Sequence, residues 1–276
     1  MKNLSTIFRF LIFLLLIATG AKAHATTIVI GYSKDKIVVA AESRRGDEGK
    51  SYVDDACKIT ALNDRFLFTI SGRIDDTTGR VFGWDASEQA KAAFARVSKL
   101  PLEFTPVLDV ASVWEESLLQ NINDHIRPSE LANLRPGQTY VDGWFLGLSP
   151  MGNIQAAYAL IRTLPEAYPV RFYAPPVVDG GVPDAMKYQL QAGDRRLFEE
   201  FSKASSARAK AERLKTAELF KTWTSEESEV RLAIRMLELL IKYTESPQDV
   251  GGPIDAVELK RGGTVHWIQR KQTCKD

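Results

Sequence analysis

Ala23-His24-Ala25-Thr26-Thr27-Ile28-Val29-Ile30-Gly31-Tyr32-Ser33, continued by Lys34-Asp35-Lys36-Ile37-Val38-Val39-Ala40-Ala41-Glu42-Ser43, is the stretch from which the fold is read. Two apolar runs rich in β-branched residues, 27–33 and 36–42, flank the tight turn Lys34-Asp35. That pattern predicts a β-hairpin. Just before it, Ala23 and Ala25 stand in the small-x-small arrangement of a signal-peptide cleavage site. Cleavage after Ala25 makes Thr26 the first residue of the mature chain, with a free α-amine beside its own hydroxyl.

Upstream, residues 1–25 have the rest of a secretory signal: Lys2 and Arg9, the apolar run 10–17, and small residues from Gly20 to the cut. The run is shorter than the roughly 20 residues a membrane span needs. An uncleaved N-terminal anchor is the competing reading, and the break at small residues argues for cleavage. A cut after Ala23 would leave His24-Ala25 in front of Thr26. Cleavage after Ala25 leaves residues 26–276, a length suited to one large domain. It removes three basic residues and no acid, so 36 basic and 35 acidic residues become 33 and 35, a net charge of −2. That balance points to neither nucleic acid nor an anionic membrane surface as a partner. The expected location is secreted or periplasmic, with no membrane association once the signal is gone. In an oxidising compartment Cys57 and Cys274 can bridge; the sequence leaves that bond open, because Cys274 lies near the end, where tails move. Neither cysteine has metal-ligand spacing, and only His125 and His266 survive processing, so neither a metal site nor a cofactor is expected.

Downstream, short strands are expected at 58–62 and 66–71, around Asn63-Asp64, with Gly72 closing the second. A helical region follows over about 75–97, weakened by Gly79 and Gly83. Thr105-Pro106 has the form of a helix start. The helix after it carries Val107, Val110, Ala111, Trp114, Leu118, Ile122 and Ile126 on one face and ends at Arg127-Pro128. Residues 127–140 read as loop, and 144–149 with 154–160 as a second hairpin. The Pro-rich segment 164–183 reads as irregular with one strand near 170–173. Residues 184–222 are charged and read as helical. Thr224-Ser225-Glu226-Glu227 fits a capping box ahead of a helix with Val230, Ala233, Ile234, Leu237, Leu240 and Ile241 on one face. A last strand pair, 254–259 and 264–268, turns at Gly262-Gly263. Runs of strands and runs of helices, rather than alternating βαβ units, predict an α+β fold with antiparallel sheets.

An alcohol is a weak nucleophile until a base removes its proton. A terminal threonine carries that base as its own α-amine, whose reference pKa of about 7.7–8.0 leaves a useful neutral fraction near pH 7. A neighbouring cation lowers that value, and Lys58, at the start of a strand, is the candidate. A buried lysine needs a counter-charge; Glu42, at the end of the second hairpin strand, is its natural partner. A tetrahedral intermediate needs backbone N–H donors where the oxyanion develops. Gly72, between a strand and a helix, lets backbone approach closely.

Thr26-Thr27, Ala40-Ala41-Glu42-Ser43-Arg44, Cys57-Lys58-Ile59 and Thr69-Ile70-Ser71-Gly72 together resemble the proteasome β-subunit branch of the N-terminal-nucleophile hydrolases. Counted from Thr26, Glu42, Lys58 and Gly72 follow after 16, 32 and 46 residues, matching the family pattern without a gap. The resemblance implies a four-layer αββα sandwich, two antiparallel sheets flanked by helices. It implies Thr26 as nucleophile and amine base, Glu42 and Lys58 as the charged pair beside it, and the Gly72 N–H in the oxyanion hole. Arg44 matches a supporting arginine. Arg45, Ala56 and Ile70 fall where the family holds a substrate side chain, with apolar Ile70 at the floor and Arg45 at the rim. Residues 143–160 resemble the family's second hairpin, and Gly251-Gly252-Pro253-Ile254-Asp255 its entry into the last strands.

The chain also departs from the pattern. Aspartate is commoner in the family where Glu42 stands. A serine in a Gly-Ser-Gly context is missing; the nearest stretch is Asp179-Gly180-Gly181. A later Asp-x-x-Ser is replaced by Ser246-Pro247-Gln248-Asp249-Val250, in which Asp249 stands in for the aspartate. Segment 184–222 is longer than the family's usual insert, which argues against a stacked-ring assembly and leaves a homo-oligomer open. The expectation is an enzyme that cleaves peptide or smaller amide substrates through an acyl-enzyme on Thr26. The competing expectation is a secreted binding or assembly module on the same fold. Each residue also has an ordinary reading: Thr26-Thr27 as strand threonines, Glu42 and Lys58 as a solvated cross-strand pair, Gly72 as a turn, Asp255 as a structural cap or ion pair.

Overall fold

The hairpin expected from the opening stretch is present: β1 (Ile28–Tyr32) pairs antiparallel with β2 (Lys36–Glu42), Ile28 opposite Ala41 and Tyr32 opposite Ile37. The computed structural model describes residues 27–46, 52–72, 84–99, 106–127, 131–132, 134–164, 171–184, 186–191, 228–243 and 250–274. Every residue of β1 is buried, as is all of β2 after Lys36. A strand covered on both faces needs a continuous apolar run rather than alternation, which both runs supply.

Two short strands, β3 (Arg45–Gly46) and β4 (Tyr52–Val53), pair with each other beside the hairpin. β5 (Ile59–Asn63) and β6 (Phe66–Gly72) follow, then helices α1 (Ala86–Val97) and α2 (Pro106–His125). The second long hairpin is β7 (Thr139–Leu148) and β8 (Ile154–Thr163). Short strands β9 (Phe172–Tyr173) and β10 (Val178–Asp179) come next, then β11 (Lys187–Gln191). Helix α3 (Glu229–Tyr243) and the closing strands β12 (Ile254–Lys260) and β13 (Val265–Gln269) complete the order.

These strands form two main sheets in which every pairing is antiparallel. One runs β11-β1-β2-β12-β13; the other runs β10-β8-β7-β6-β5, with β9 also on β8. Side-chain alternation then sets the layers. From β2, Ile37, Val39 and Ala41 meet Leu67, Trp144, Leu146 and Ala156 of the other sheet. Its neighbours Val38 and Ala40 point the opposite way, onto Val230, Ala233 and Leu237 of α3. From β6, Phe66, Phe68 and Ile70 face Ala90 and Ala93 of α1 and Val110, Trp114 and Leu118 of α2. The order α3, sheet, sheet, α1 with α2 is the four-layer αββα sandwich.

The structure corrects two segment readings. Residues 187–191, read as part of a helix, are strand β11 on the outer edge of β1, Ile28 opposite Gln191 and Tyr32 opposite Lys187. The Ala, Lys and Glu excess that suggested a helix belongs mostly to later residues, and pairing with an open strand edge overrides local preference. Residues 139 and 140, read as loop, belong to strand β7, which starts at Thr139, five residues before the expected start at Trp144; Asp142 and Gly143 hide the strand pattern that Tyr140 and Val141 begin. Residues 192–222, the capping box and the first part of the 75–97 helical reading lie outside the described residues.

Trp114 anchors the helix layer. Its ring is fully buried, lies 5.4 Å from Phe68 and 5.5 Å from Phe145, and its indole N–H donates to the Ala86 carbonyl over 2.9 Å. Trp114→Ala opens a large cavity and removes that hydrogen bond. The expected loss is about 3–5 kcal/mol, read as a lower urea midpoint at unchanged m value.

Glu115, the next residue, closes a gap in the second sheet. β10 pairs with Ala157 and Tyr158, and β9 with Arg162 and Thr163, which leaves 159–161 without a strand partner on that edge among the described residues. The Leu160 N–H donates instead to Glu115 Oε1 over 3.3 Å. Burial pushes the Glu115 carboxyl up to about 7, against the pull of that N–H. A carboxyl whose folded pKa lies above its unfolded value holds more protons folded, so its contribution to stability falls as pH rises from about 4.3 to about 7. Glu115→Gln is therefore expected to exceed wild type by about 1–2 kcal/mol at pH 8, allowing for solvent screening, with the gap narrowing toward pH 5. Thermal melts at the two pH values check this.

Candidate active site

Glu42 is the last residue of β2, opposite Ile254 of β12, and its side chain is fully buried. A buried carboxylate must be matched by donors, and here the end of the strand gathers four. Oε1 accepts the Thr27 N–H over 2.9 Å and a hydrogen bond from Lys58 Nζ. Oε2 accepts the Arg44 N–H over 2.7 Å and the Gly251 N–H over 3.1 Å. The chain turning off β2 and the glycine pair entering β12 thus converge on one side chain.

Lys58 immediately precedes β5. The Ile70 N–H donates to its carbonyl over 3.1 Å, which registers it against the end of β6. Its side chain is wholly enclosed, and Nζ also donates to the Arg44 carbonyl over 2.6 Å. Burial pulls the ammonium down to about 8; Glu42 opposes that shift, and the Lys271 ammonium adds to it. A lysine holding its proton this weakly can exchange it near neutral pH.

Arg44 braces the surround. Its guanidinium grips Asp54 in a fork, Nε to Oδ1 at 2.7 Å and Nη2 to Oδ2 at 2.8 Å. It also lies 3.6 Å over the Tyr52 ring. The fork holds the Asp54 carboxyl below the usual carboxylate range. The Arg44 N–H is shared between Glu42 and the Gly251 carbonyl, the latter at 3.0 Å.

Gly72 ends β6, opposite Val141. Its φ is +82°, and a Cβ there would lie 2.6 Å from the Tyr140 carbonyl oxygen. Only glycine fits that backbone; it lies two residues beyond Ile70, whose N–H donates to the Lys58 carbonyl. The preceding Ser71 donates to Asp142 Oδ1, whose other oxygen accepts from Tyr158 over 2.8 Å.

The other expected site residues are placed as follows. Thr26 and Asp249 lie outside the described residues; Thr27, bonded to Thr26, is the residue on Glu42. Arg45 enters β3 opposite Val53, and its side chain lies outside the described residues. Ala56 is buried, its N–H donating to the Ser43 carbonyl over 3.0 Å. Ile70 is fully buried in the cluster facing α1 and α2.

Sequence reasoning allowed Asp255 a structural ion pair but missed its partner, Lys271, and that the pair is buried at this end of the sandwich. Lys271 Nζ lies 3.0 Å from Asp255 Oδ2, the Lys271 N–H donates to Oδ1 over 2.7 Å, and both side chains are almost wholly enclosed. Cys57 and Cys274 are joined in a disulfide, and the Cys274 sulfur lies 3.6 Å from Asp255 Oδ2. Lys271 sits in a polar tail, and only the bridge from Cys57 to Cys274 hinted that this tail returns to Lys58. Among the described residues, no group of three or more histidine, cysteine, aspartate or glutamate side chains is arranged to hold a metal ion. No described helix is long and apolar enough to cross a membrane. Comparison with models of known protein families and with characterised proteins finds no match.

Proposed function

We propose that the chain is an exported N-terminal threonine hydrolase that cleaves a peptide or smaller amide bond through an acyl-enzyme on Thr26. The observation that carries this reading is the Glu42–Lys58 pair. It is fully buried, and it is hydrogen-bonded to Thr27, one peptide bond from the proposed nucleophile. A solvated cross-strand pair would have neither the burial nor the backbone donors. The Cys57–Cys274 bond supports export, since such bonds persist in oxidising compartments.

In this reading the Thr26 α-amine takes the proton of its own hydroxyl as Oγ attacks the amide carbon. Lys58 keeps the amine from holding a proton too tightly, and Glu42 fixes Lys58 and the start of β1. The Gly72 N–H is the donor for the oxyanion. The C–N bond breaks as the α-ammonium returns the proton to the leaving amine. Water then attacks the ester, the α-amine again serving as base, which releases the acid and restores Thr26.

The test is the intact mass of the protein recovered after export. A chain beginning at Thr26 is the expected result. A stable chain that keeps its leader, or His24-Ala25, sinks the reading, because the α-amine would be tied up in a peptide bond.

One observation favours the second reading, a secreted binding module on the same fold. In Asp179-Gly180-Gly181, the stretch nearest to the family's missing serine context, Gly180 packs so closely that a Cβ would lie 2.9 Å from the Ala156 Cβ. Its N–H donates to the Ala156 carbonyl over 2.9 Å, and its carbonyl accepts the Tyr32 hydroxyl over 3.0 Å. Asp179-Gly180-Gly181 thus supplies no hydroxyl to serve the terminal amine. Absence of any covalent labelling of Thr26 in a folded chain selects that reading.

A further inference from the structure

We propose that Lys271 is a positioning residue for the Glu42–Lys58 pair, and that the Cys57–Cys274 disulfide holds it in that role. The inference rests on the reading of that pair as part of a hydrolytic site.

Lys271 touches the segment that leads into Lys58 and the strand paired with the one that carries Glu42. Its Nζ donates to the Ala56 carbonyl, two residues before Lys58. The same Nζ is paired with Asp255, which stands opposite Ala41, the neighbour of Glu42. Ala56 in turn donates to the Ser43 carbonyl, on the other side of Glu42. One ammonium therefore ties the segment before Lys58 to the strand beside Glu42. The disulfide repeats the tie three residues further on: Cys57 lies between Ala56 and Lys58, and Cys274 packs on the same Asp255.

The charges around Lys58 explain why this matters to proton exchange. Glu42 and Asp54 favour its ammonium form, whereas burial and Lys271 oppose it. The charge of Asp255 is taken up by Lys271, and that of Arg44 by Asp54. Of the groups named as acting on Lys58, Lys271 is the cation set against its proton. A purely structural staple would hold the same segments together without affecting how tightly Lys58 keeps its proton, so the two roles can be separated by experiment.

The test is the titration of the Lys58 ammonium, followed by NMR on the full mature chain labelled at lysine Cε. Lys271→Met is expected to raise the midpoint from about 8 by about half a pH unit or more, and Lys271→Arg to leave it in place. Because Lys271→Met strands a buried carboxylate, Asp255→Asn/Lys271→Met supplies the same reading in a fold that buries neither charge. Cys57→Ser/Cys274→Ser is expected to move the midpoint in the same direction. An unmoved midpoint in both Lys271→Met chains overturns the assignment of Lys271. An unmoved midpoint in the double-serine chain overturns the part given to the disulfide. The readout involves no hydrolysis, so failure of Thr26 to react would sink the proposed function and leave this result standing on its own.

Discussion

Thr26→Ala is expected to abolish covalent labelling by a threonine-directed electrophile such as an epoxyketone, and to lower any amidase rate by roughly 10⁴-fold or more. The variant keeps a small residue at the cleavage junction, so export and processing should proceed as in wild type. It also leaves the Thr27 N–H on Glu42, so the melting temperature should stay within about 2 °C of wild type. Thr26→Ser, which retains both the hydroxyl and the terminal amine, is expected to label. Mass spectrometry of the labelled protein distinguishes the outcomes. A Thr26→Ala chain that labels as fast as wild type would mean that the reactive group lies elsewhere, and the Glu42–Lys58 pair would then be only a structural feature of the sandwich.

Glu42→Ala has the second large effect, on stability. It leaves the Lys58 ammonium and the N–H groups of Thr27, Arg44 and Gly251 without their shared acceptor. Stranding one member of a buried pair costs about 3–5 kcal/mol, a fall in melting temperature on the order of 10 °C for a chain of this size. Lys58→Met strands Glu42 in turn. Glu42→Gln/Lys58→Met, which buries neither charge, is expected to lose clearly less than the sum of the two single variants. The pH dependence provides a further check. Lys58 has a folded pKa of about 8, below its unfolded value of about 10.4, so the folded state holds fewer protons in that window. Stability contributed by this group therefore rises with pH between those values. In Glu42→Ala the upward pull of the carboxylate is gone, and the window widens toward lower pH. Urea titrations across pH 6–10 should show the deficit of the variant shrinking as pH increases.

The residues that could be read from sequence are those whose signal is local. β1 and β2 are continuous β-branched runs, and burial on both faces demands just that composition. The Glu42–Lys58 pair was legible because two fixed spacings from Thr26 agreed. Gly72 was legible because a strand ended there, although the collision with the Tyr140 carbonyl that requires glycine appears only when β7 is in place. What escaped depends on partners far along the chain. β11 is a strand because β1 has an open edge, not because Lys187-Tyr188-Gln189-Leu190-Gln191 prefers one. Glu115 looks like any charged residue on a helix until the gap between β9 and β10 places a backbone N–H in front of it. Lys271 and Asp255 are ordinary tail and strand residues until the disulfide returns the tail to Lys58. Ile70, which the resemblance gives as a pocket residue, belongs to the apolar cluster between β6 and the helices α1 and α2.

The bond from the Gly251 N–H to Glu42 spans 209 positions, and the disulfide spans 217. β2 lies between β1, its nearest neighbour in sequence, and β12, one of the last strands to be synthesised. Closing so long a loop is slow, and the outer edge of β2 stays open until β12 pairs with it. Until β12 arrives, Lys58 is an ordinary hydrated lysine and Glu42 lacks one of its four donors. Under the proposed function, this order would keep the terminus chemically silent until the last strands are in place, so that the segment bearing it could be exported and trimmed first.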